Sequence, residues 1–138
     1  MTYTPKNILV TGGCGFIGSH FLNSMTTKYP DYMFYNMDSM TYCASQRRVE
    51  NISDYSNYHF IKGDICSVDL VNYIMLEKRI DTVVHFAAES HVDSSFGNSL
   101  TFTRSNVQGT HTLLECAKQN NIKRFIHIST DELYGRGC

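Results

Sequence analysis

The chain has no tryptophan, only two prolines, and no apolar run long enough to span a bilayer. It also lacks an excess of either charge. Its 12 Lys and Arg stand against 13 Asp and Glu, a net charge of −1, which argues against a nucleic-acid or acidic-membrane surface. The five cysteines, Cys14, Cys43, Cys66, Cys116 and Cys138, are odd in number and contain no Cys-x-x-Cys pair. Scattered in this way, they point to free thiols in a reducing compartment and to no disulfide framework or metal site. The opening residues 1–6 are polar and carry no apolar signal region, so a cytoplasmic location is expected. What is present suffices for a core: 42% of the 138 residues are hydrophobic and 18% charged, at a length suited to one domain.

The order of elements narrows the fold. Asn7-Ile8-Leu9-Val10 reads as a buried strand, and Ile17, Phe21 and Met25 recur every four residues as on a helix. A second strand is expected over 32–37, closing on Asp38. One helical turn follows around 47–51, and a third strand over 58–61 stops at Gly63-Asp64. Ser67 is placed to cap a helix running to residue 78, with Val68, Val71 and Met75 on its inner face. Strand four covers 82–86. A helix over 99–119 carries Leu100, Thr103, Val107, Thr110, Leu114 and Ala117 as its stripe, and strand five covers 124–129. Apolar strands alternating with helices indicate an α/β fold, a parallel sheet covered on both sides with right-handed crossovers.

Chemistry enters where strand one meets helix one. Gly12-Gly13-Cys14-Gly15-Phe16-Ile17-Gly18 contains both Gly-x-Gly-x-x-Gly and Gly-x-x-Gly-x-x-Gly. Glycine there allows a tight turn, close approach of a pyrophosphate to bare backbone, and close helix–strand packing. The helix N-terminus offers free N–H groups to the anion. Asp38 ends strand two at 20 residues past Gly18, the spacing of a carboxylate that accepts from the adenosine ribose hydroxyls. It would repel a 2′-phosphate, and Arg47 and Arg48 are distant in sequence, so NAD is expected over NADP. Asp64 and Ile65, after strand three, are candidates to flank the adenine, with Asp64 accepting from its amine. The plain alternative for each acidic residue is a turn-forming role. His85 reads as a core histidine satisfied by backbone. Cys14 has no neighbouring base in sequence, and Tyr134 reads as packing. His91 is a candidate contact to sugar or pyrophosphate, and Asp93 fits a turn equally well.

Three stretches carry a family resemblance: residues 11–18, His85-Phe86-Ala87-Ala88-Glu89-Ser90-His91-Val92-Asp93, and Ser129-Thr130-Asp131-Glu132-Leu133-Tyr134-Gly135. Together they resemble the extended short-chain dehydrogenase/reductases, and within them the nucleotide-sugar 4,6-dehydratases. Tyr29-Pro30-Asp31-Tyr32, Tyr42-Cys43, Ser95-Phe96-Gly97-Asn98-Ser99 and Gly109-Thr110-His111 lean toward the UDP-glucose branch, with rhamnose synthesis, before the dTDP-glucose one. The resemblance implies a Rossmann-type doubly wound parallel sheet, truncated here after about five strands, with residues 1–138 as the N-terminal part of an NAD-binding domain. It implies NAD as cofactor, a nucleotide-sugar substrate, no metal, no nucleic-acid or membrane partner, and a homodimer of the full-length enzyme formed through helices that include the one over 99–119. In the implied reaction C4 of the glucosyl ring is oxidised, the C5 proton and C6 hydroxyl leave as water, and hydride returns to C6. Motif by motif, Glu132 takes the C5 proton, Asp131 protonates the C6 oxygen and Thr130 bonds the C4 oxygen; Ala87, Ala88 and Ser90 line cofactor or sugar. Two adjacent carboxyls in a dry cleft suit this work, because one stays protonated while the other ionises. A turn-capping role for the pair is the structural alternative.

The sequence also departs from the family pattern. Ser39 follows Asp38 where Lys or Arg is frequent, and Ser94 stands where the dTDP branch often has Arg. The Tyr-x-x-x-Lys pair on the helix after strand five is absent, and neither Lys118 nor Lys123 stands in such a relation to a tyrosine. Residues 1–138 alone are therefore expected to show no dehydratase activity. An epimerase or decarboxylase of the same extended family, and a non-catalytic NAD-binding module, are the other readings.

Overall fold

A computed structural model describes residues 3–39, 46–86 and 107–128. Its elements are β1 (Asn7–Thr11), α1 (Phe16–Lys28), β2 (Met33–Asp38), a 3₁₀ segment (Gln46–Ile52) and β3 (Tyr58–Lys62). They continue with α2 (Val68–Glu77), β4 (Thr82–His85), α3 (Gly109–Gln119) and β5 (Arg124–His127). All strands are parallel, in the order β3-β2-β1-β4-β5. Each expected strand is present within two residues of its expected limits. Strand five is the shortest against expectation, although Ile128 N–H still bonds the His85 carbonyl at 3.1 Å.

The period-two alternation of the strands divides the core between two faces. Ile8, Val10, Phe34 and Val84 pack with Leu22, Val49, Ile52 and Tyr58 on the α1 side. Leu9, Met37 and Val83 pack with Val71, Ile74, Met75, Leu113 and Cys116 on the α2–α3 side. At the N-terminal ends of the strands, Asp81 is the tie. Its carboxylate accepts the N–H groups of Lys6 and Asn7, and its carbonyl accepts that of Lys123 at 2.9 Å. The opposite, C-terminal edge is where β1 turns into α1.

In α1 and α3 the buried face differs from the expected one, whereas α2 buries Val71 and Met75 as expected. In α1 the buried positions are Gly18, Ser19, Leu22 and Thr26; Ile17 is exposed, while Phe21 and Met25 are only partly buried. In α2, Val68 is exposed and Val71, Ile74 and Met75 are buried. In α3, Thr112, Leu113, Cys116 and Ala117 face the sheet, whereas Val107 and Leu114 face outward. In α1 the small polar residues Ser19 and Thr26 are among the buried ones. Their hydroxyls are satisfied within the helix: Ser19 Oγ donates to the Phe16 carbonyl at 2.9 Å and Thr26 Oγ1 to that of Leu22 at 2.6 Å. A stripe read from apolar residues alone misses them. Ser67 holds the N-cap position of α2 without a side-chain bond; Asp64 organises that turn, its Oδ1 accepting Cys66 N–H at 2.9 Å.

Candidate cofactor site

Gly12 leaves β1 with φ 73°, in the left-handed region where a side chain is strained. Its N–H donates to the Met37 carbonyl at 2.9 Å, so the turn stays attached to β2. Three residues of the turn then use up their amides internally: Gly13 N–H on Asn36 Oδ1 at 3.0 Å, Cys14 N–H on Asp38 Oδ2 at 2.9 Å, Gly15 N–H on the Gly12 carbonyl at 3.2 Å. The first bond within α1 is Ser19 N–H to the Gly15 carbonyl at 2.9 Å. The amides of Phe16, Ile17 and Gly18 precede it and point out of the helix N-terminus. Gly15 caps this end in extended conformation with no side-chain bond, and Phe16 and Ile17 are 67% and 60% exposed. A Cβ on Gly18 would collide with the Gly12 carbonyl oxygen, so helix and turn touch backbone to backbone. The result is an open helix end aimed along the C-terminal edge of the sheet. It suits the pyrophosphate of a dinucleotide.

Asp38 is buried and lies beside this turn, as its spacing predicts. Its carbonyl accepts Gly63 N–H at 3.1 Å, which brings the end of β3, and Asp64 after it, next to the end of β2. Ile65 is 6% exposed, packed in the core against Gly109, so its side chain serves the fold. Thus Gly12, Gly15, Phe16, Ile17, Gly18, Asp38 and Asp64 converge at one end of three neighbouring strands. Ala87, Ala88, Ser90, His91, Asp93, Ser94, Thr130, Asp131, Glu132 and Tyr134 lie outside the described residues, as does the 99–106 part of the expected long helix. Phe86 and Ile128, the described residues just after β4 and β5, bond back to Thr11 and His85 on this same edge.

Two further residues support the turn: Asn36, which the sequence did not single out, and Arg48, which it set aside as distant. Asn36, fully buried, accepts Gly13 N–H and donates through Nδ2 to Tyr58 Oη at 3.0 Å and to Cys14 Sγ at 3.5 Å. The only hint in sequence is a polar residue inside an apolar strand. Arg48, distant in sequence, is returned by the 3₁₀ segment, its Nη1 donating to the Cys14 carbonyl at 3.2 Å. Tyr58 and Lys62 form a Tyr-x-x-x-Lys string, but in β3 that spacing spans about 13 Å. Tyr58 is buried, with its hydroxyl on Asn36, so the string braces the turn and is not the helical pair.

Cys14 is inert as a nucleophile. Burial first, then the Asp38 charge, push its thiol up to about 11. His85 is a core histidine, satisfied by hydroxyls where backbone partners were expected. Its Nδ1 meets Thr11 Oγ1 at 2.6 Å and its Nε2 meets Thr110 Oγ1 at 2.9 Å. Burial, helped by the stacked His127, lowers its pKa to about 4. Among the described residues no cluster of His, Cys, Asp or Glu could hold a metal, and no helix is long and apolar enough to cross a membrane.

Residues 9–137 match the family model described as GDP-mannose 4,6 dehydratase. The chain belongs to this family. Among relatives of known function, a trifunctional UDP-glucose 4,6-dehydratase, UDP-4-keto-6-deoxy-D-glucose 3,5-epimerase and UDP-4-keto-L-rhamnose-reductase of Arabidopsis thaliana is 52% identical over 135 residues, 97% of this chain and 20% of that one. The dTDP-D-glucose 4,6-dehydratase of Homo sapiens is 48% identical, over 94% of this chain and 37% of its own length. A crystal structure of the dTDP-glucose 4,6-dehydratase DesIV of Streptomyces venezuelae, with NAD bound, superposes with a TM-score of 0.87 at 42% identity. That match covers 94% of this chain and 41% of DesIV. The family's Rossmann-type sheet is therefore the fold found here, and the chain spans between a fifth and about two fifths of these relatives.

Proposed function

We propose that this chain forms the NAD-binding part of a nucleotide-sugar 4,6-dehydratase, with UDP-glucose as the favoured substrate and dTDP-glucose next. The observation that carries the reading is the open α1 N-terminus with Asp38 held against the glycine turn. The amides of Phe16, Ile17 and Gly18 bind the pyrophosphate, and Asp38 accepts from the ribose hydroxyls while Cys14 N–H keeps the carboxylate in place. NAD supplies the acceptor and donor of hydride. Asp64 reaches the adenine amine, and Ala87, Ala88 and Ser90 line the crevice beyond β4. The segment after β5 supplies Thr130, Asp131 and Glu132 in the roles of C4-oxygen partner, acid toward the C6 oxygen and base toward C5. Supporting this, the first segment continues from β4, which pairs with β1 where the strand order reverses and ligands of such sheets bind, and the second continues from β5, the next strand out.

Titration of the full-length protein is expected to show tighter binding of NAD than of NADP. Replacing Asp38 by Ala should weaken NAD by about 1–3 kcal/mol, the worth of charged hydrogen bonds; equal affinity for both cofactors would remove Asp38 from the ribose site. With UDP-glucose in deuterated water, Glu132→Gln should abolish exchange of the C5 proton. Asp131→Asn should retain exchange and slow water loss. Normal turnover by both variants would make the pair structural and the dehydratase reading wrong.

A further inference from the structure

His85 stands at the end of β4, in register with Thr11 at the end of β1. Thr11 Oγ1 lies 2.6 Å from His85 Nδ1, and His85 Nε2 lies 2.9 Å from Oγ1 of Thr110, in the first turn of α3. Thr11 is fully buried, and among the described residues its hydroxyl has no partner but this imidazole. A buried O–H donor without an acceptor is rarer and costlier than an unused lone pair. Thr11 therefore donates to Nδ1, and the proton of the neutral ring sits on Nε2, which donates to Thr110. Thr110 is only partly buried, so its own hydroxyl reaches solvent.

Thr11 is also the residue from which Gly12 departs, with φ 73°, into the glycine turn. Beside Thr110, Gly109 has no room for a Cβ, which would collide with Ile65, one residue past Asp64. The first turn of α3 thus meets both ends of the cofactor crevice, the turn before α1 through His85 and the turn after β3 through Gly109. Resting on the cofactor reading above, we infer that His85 is a positioning residue of this site: as the Nε2–H tautomer it ties the end of β1 to the first turn of α3, and so fixes the direction in which the glycine turn presents the α1 amides to a pyrophosphate. Thr11 and Thr110 act through it, one on each nitrogen. Affinity depends on this tie because hydrogen bonds from amides to phosphate oxygens weaken steeply once misaligned.

The test measures NAD dissociation constants of the full-length protein by calorimetry. Thr11→Val keeps the branched shape and removes the hydroxyl; it should weaken NAD about tenfold, the scale of one buried hydrogen bond, and Thr11→Ser should restore the affinity. Thr110→Val, on the far side of the ring, should weaken NAD severalfold. The double variant should be no worse than Thr11→Val, because both residues act through one imidazole. Ile80→Val, in the core at the opposite end of the sheet, should lower stability by a similar amount and leave NAD affinity unchanged. Nitrogen NMR of His85 should show Nε2 protonated and Nδ1 bare at neutral pH. Additive losses, or an equal loss of affinity in Ile80→Val, would make the network merely structural and overturn the inference, as would the Nδ1–H tautomer. Unaltered protein that does not bind NAD overturns the cofactor reading and the inference with it; NAD binding that both threonine variants leave unchanged overturns the inference alone. If Thr11→Val does not fold, Thr110→Val and the NMR decide: unchanged NAD affinity or the other tautomer overturns the proposal.

Discussion

Asn36 shows how much a single buried amide can carry. It joins the glycine turn, Cys14 and Tyr58 inside an otherwise apolar face of the sheet. Asn36→Leu keeps the approximate size and leaves the Gly13 N–H and the Tyr58 hydroxyl without their partner. Each stranded group costs about 1–3 kcal/mol, so urea denaturation should show a loss of several kcal/mol, with NAD binding weakened in parallel. Unchanged stability would show that the amide is dispensable. Asp38 was legible in sequence because it sits at a fixed offset from the glycines along a βαβ unit. Asn36 and Arg48 were not, because their partners are set by neighbouring strands and by the return of a distant segment. In sequence Asn36 stands out only as one polar residue in a strand.

At the scale of elements, His85 joins β1, β4 and α3 through the hydroxyls of Thr11 and Thr110. Neutral imidazole has one donor and one acceptor, which serves two hydroxyls without leaving a group unpaired. In the unfolded chain His85 takes up a proton near its ordinary 6.5, in the folded protein only near 4. Between these values the unfolded state binds the extra proton, so stability should fall as pH drops from about 6.5 to about 4, by on the order of 3 kcal/mol. Above that window the contribution is complete. His85→Gln should flatten the slope in urea titrations across this pH range, and an unaltered slope would mean that another group carries it. The helices teach a related lesson. Their existence followed from apolar recurrence, which also put Val71 and Met75 on the buried face of α2, but in α1 the buried Gly18, Leu22 and Thr26 lie one residue on from the apolar repeat of Ile17, Phe21 and Met25.

At the scale of the whole molecule, the described sheet has β3 and β5 at its edges. Pairs of core residues cover both faces from β2 to β4, but β5 is thinner: Ile126 is 40% exposed, and Phe125 and Ile128 are only partly buried. A further parallel strand beside β5 would cover this edge. The 138-residue chain on its own should therefore self-associate through this edge. Size-exclusion chromatography over a range of concentrations checks this, and a monomer throughout would show that the edge is protected.

The alternation of strand and helix, the glycine turn, and the carboxylate that answers it can all be read along the chain. Strand–turn–helix units are built by residues close in sequence, and a nucleotide loop must use glycine where backbone meets backbone or ligand. What holds that turn in shape could be decided only by the folded sheet. The strand order β3-β2-β1-β4-β5 sets Asn36 beneath Gly13, brings Arg48 back to Cys14, and buries His85 between two threonines. None of these pairs is close in sequence, and each depends on which strands become neighbours.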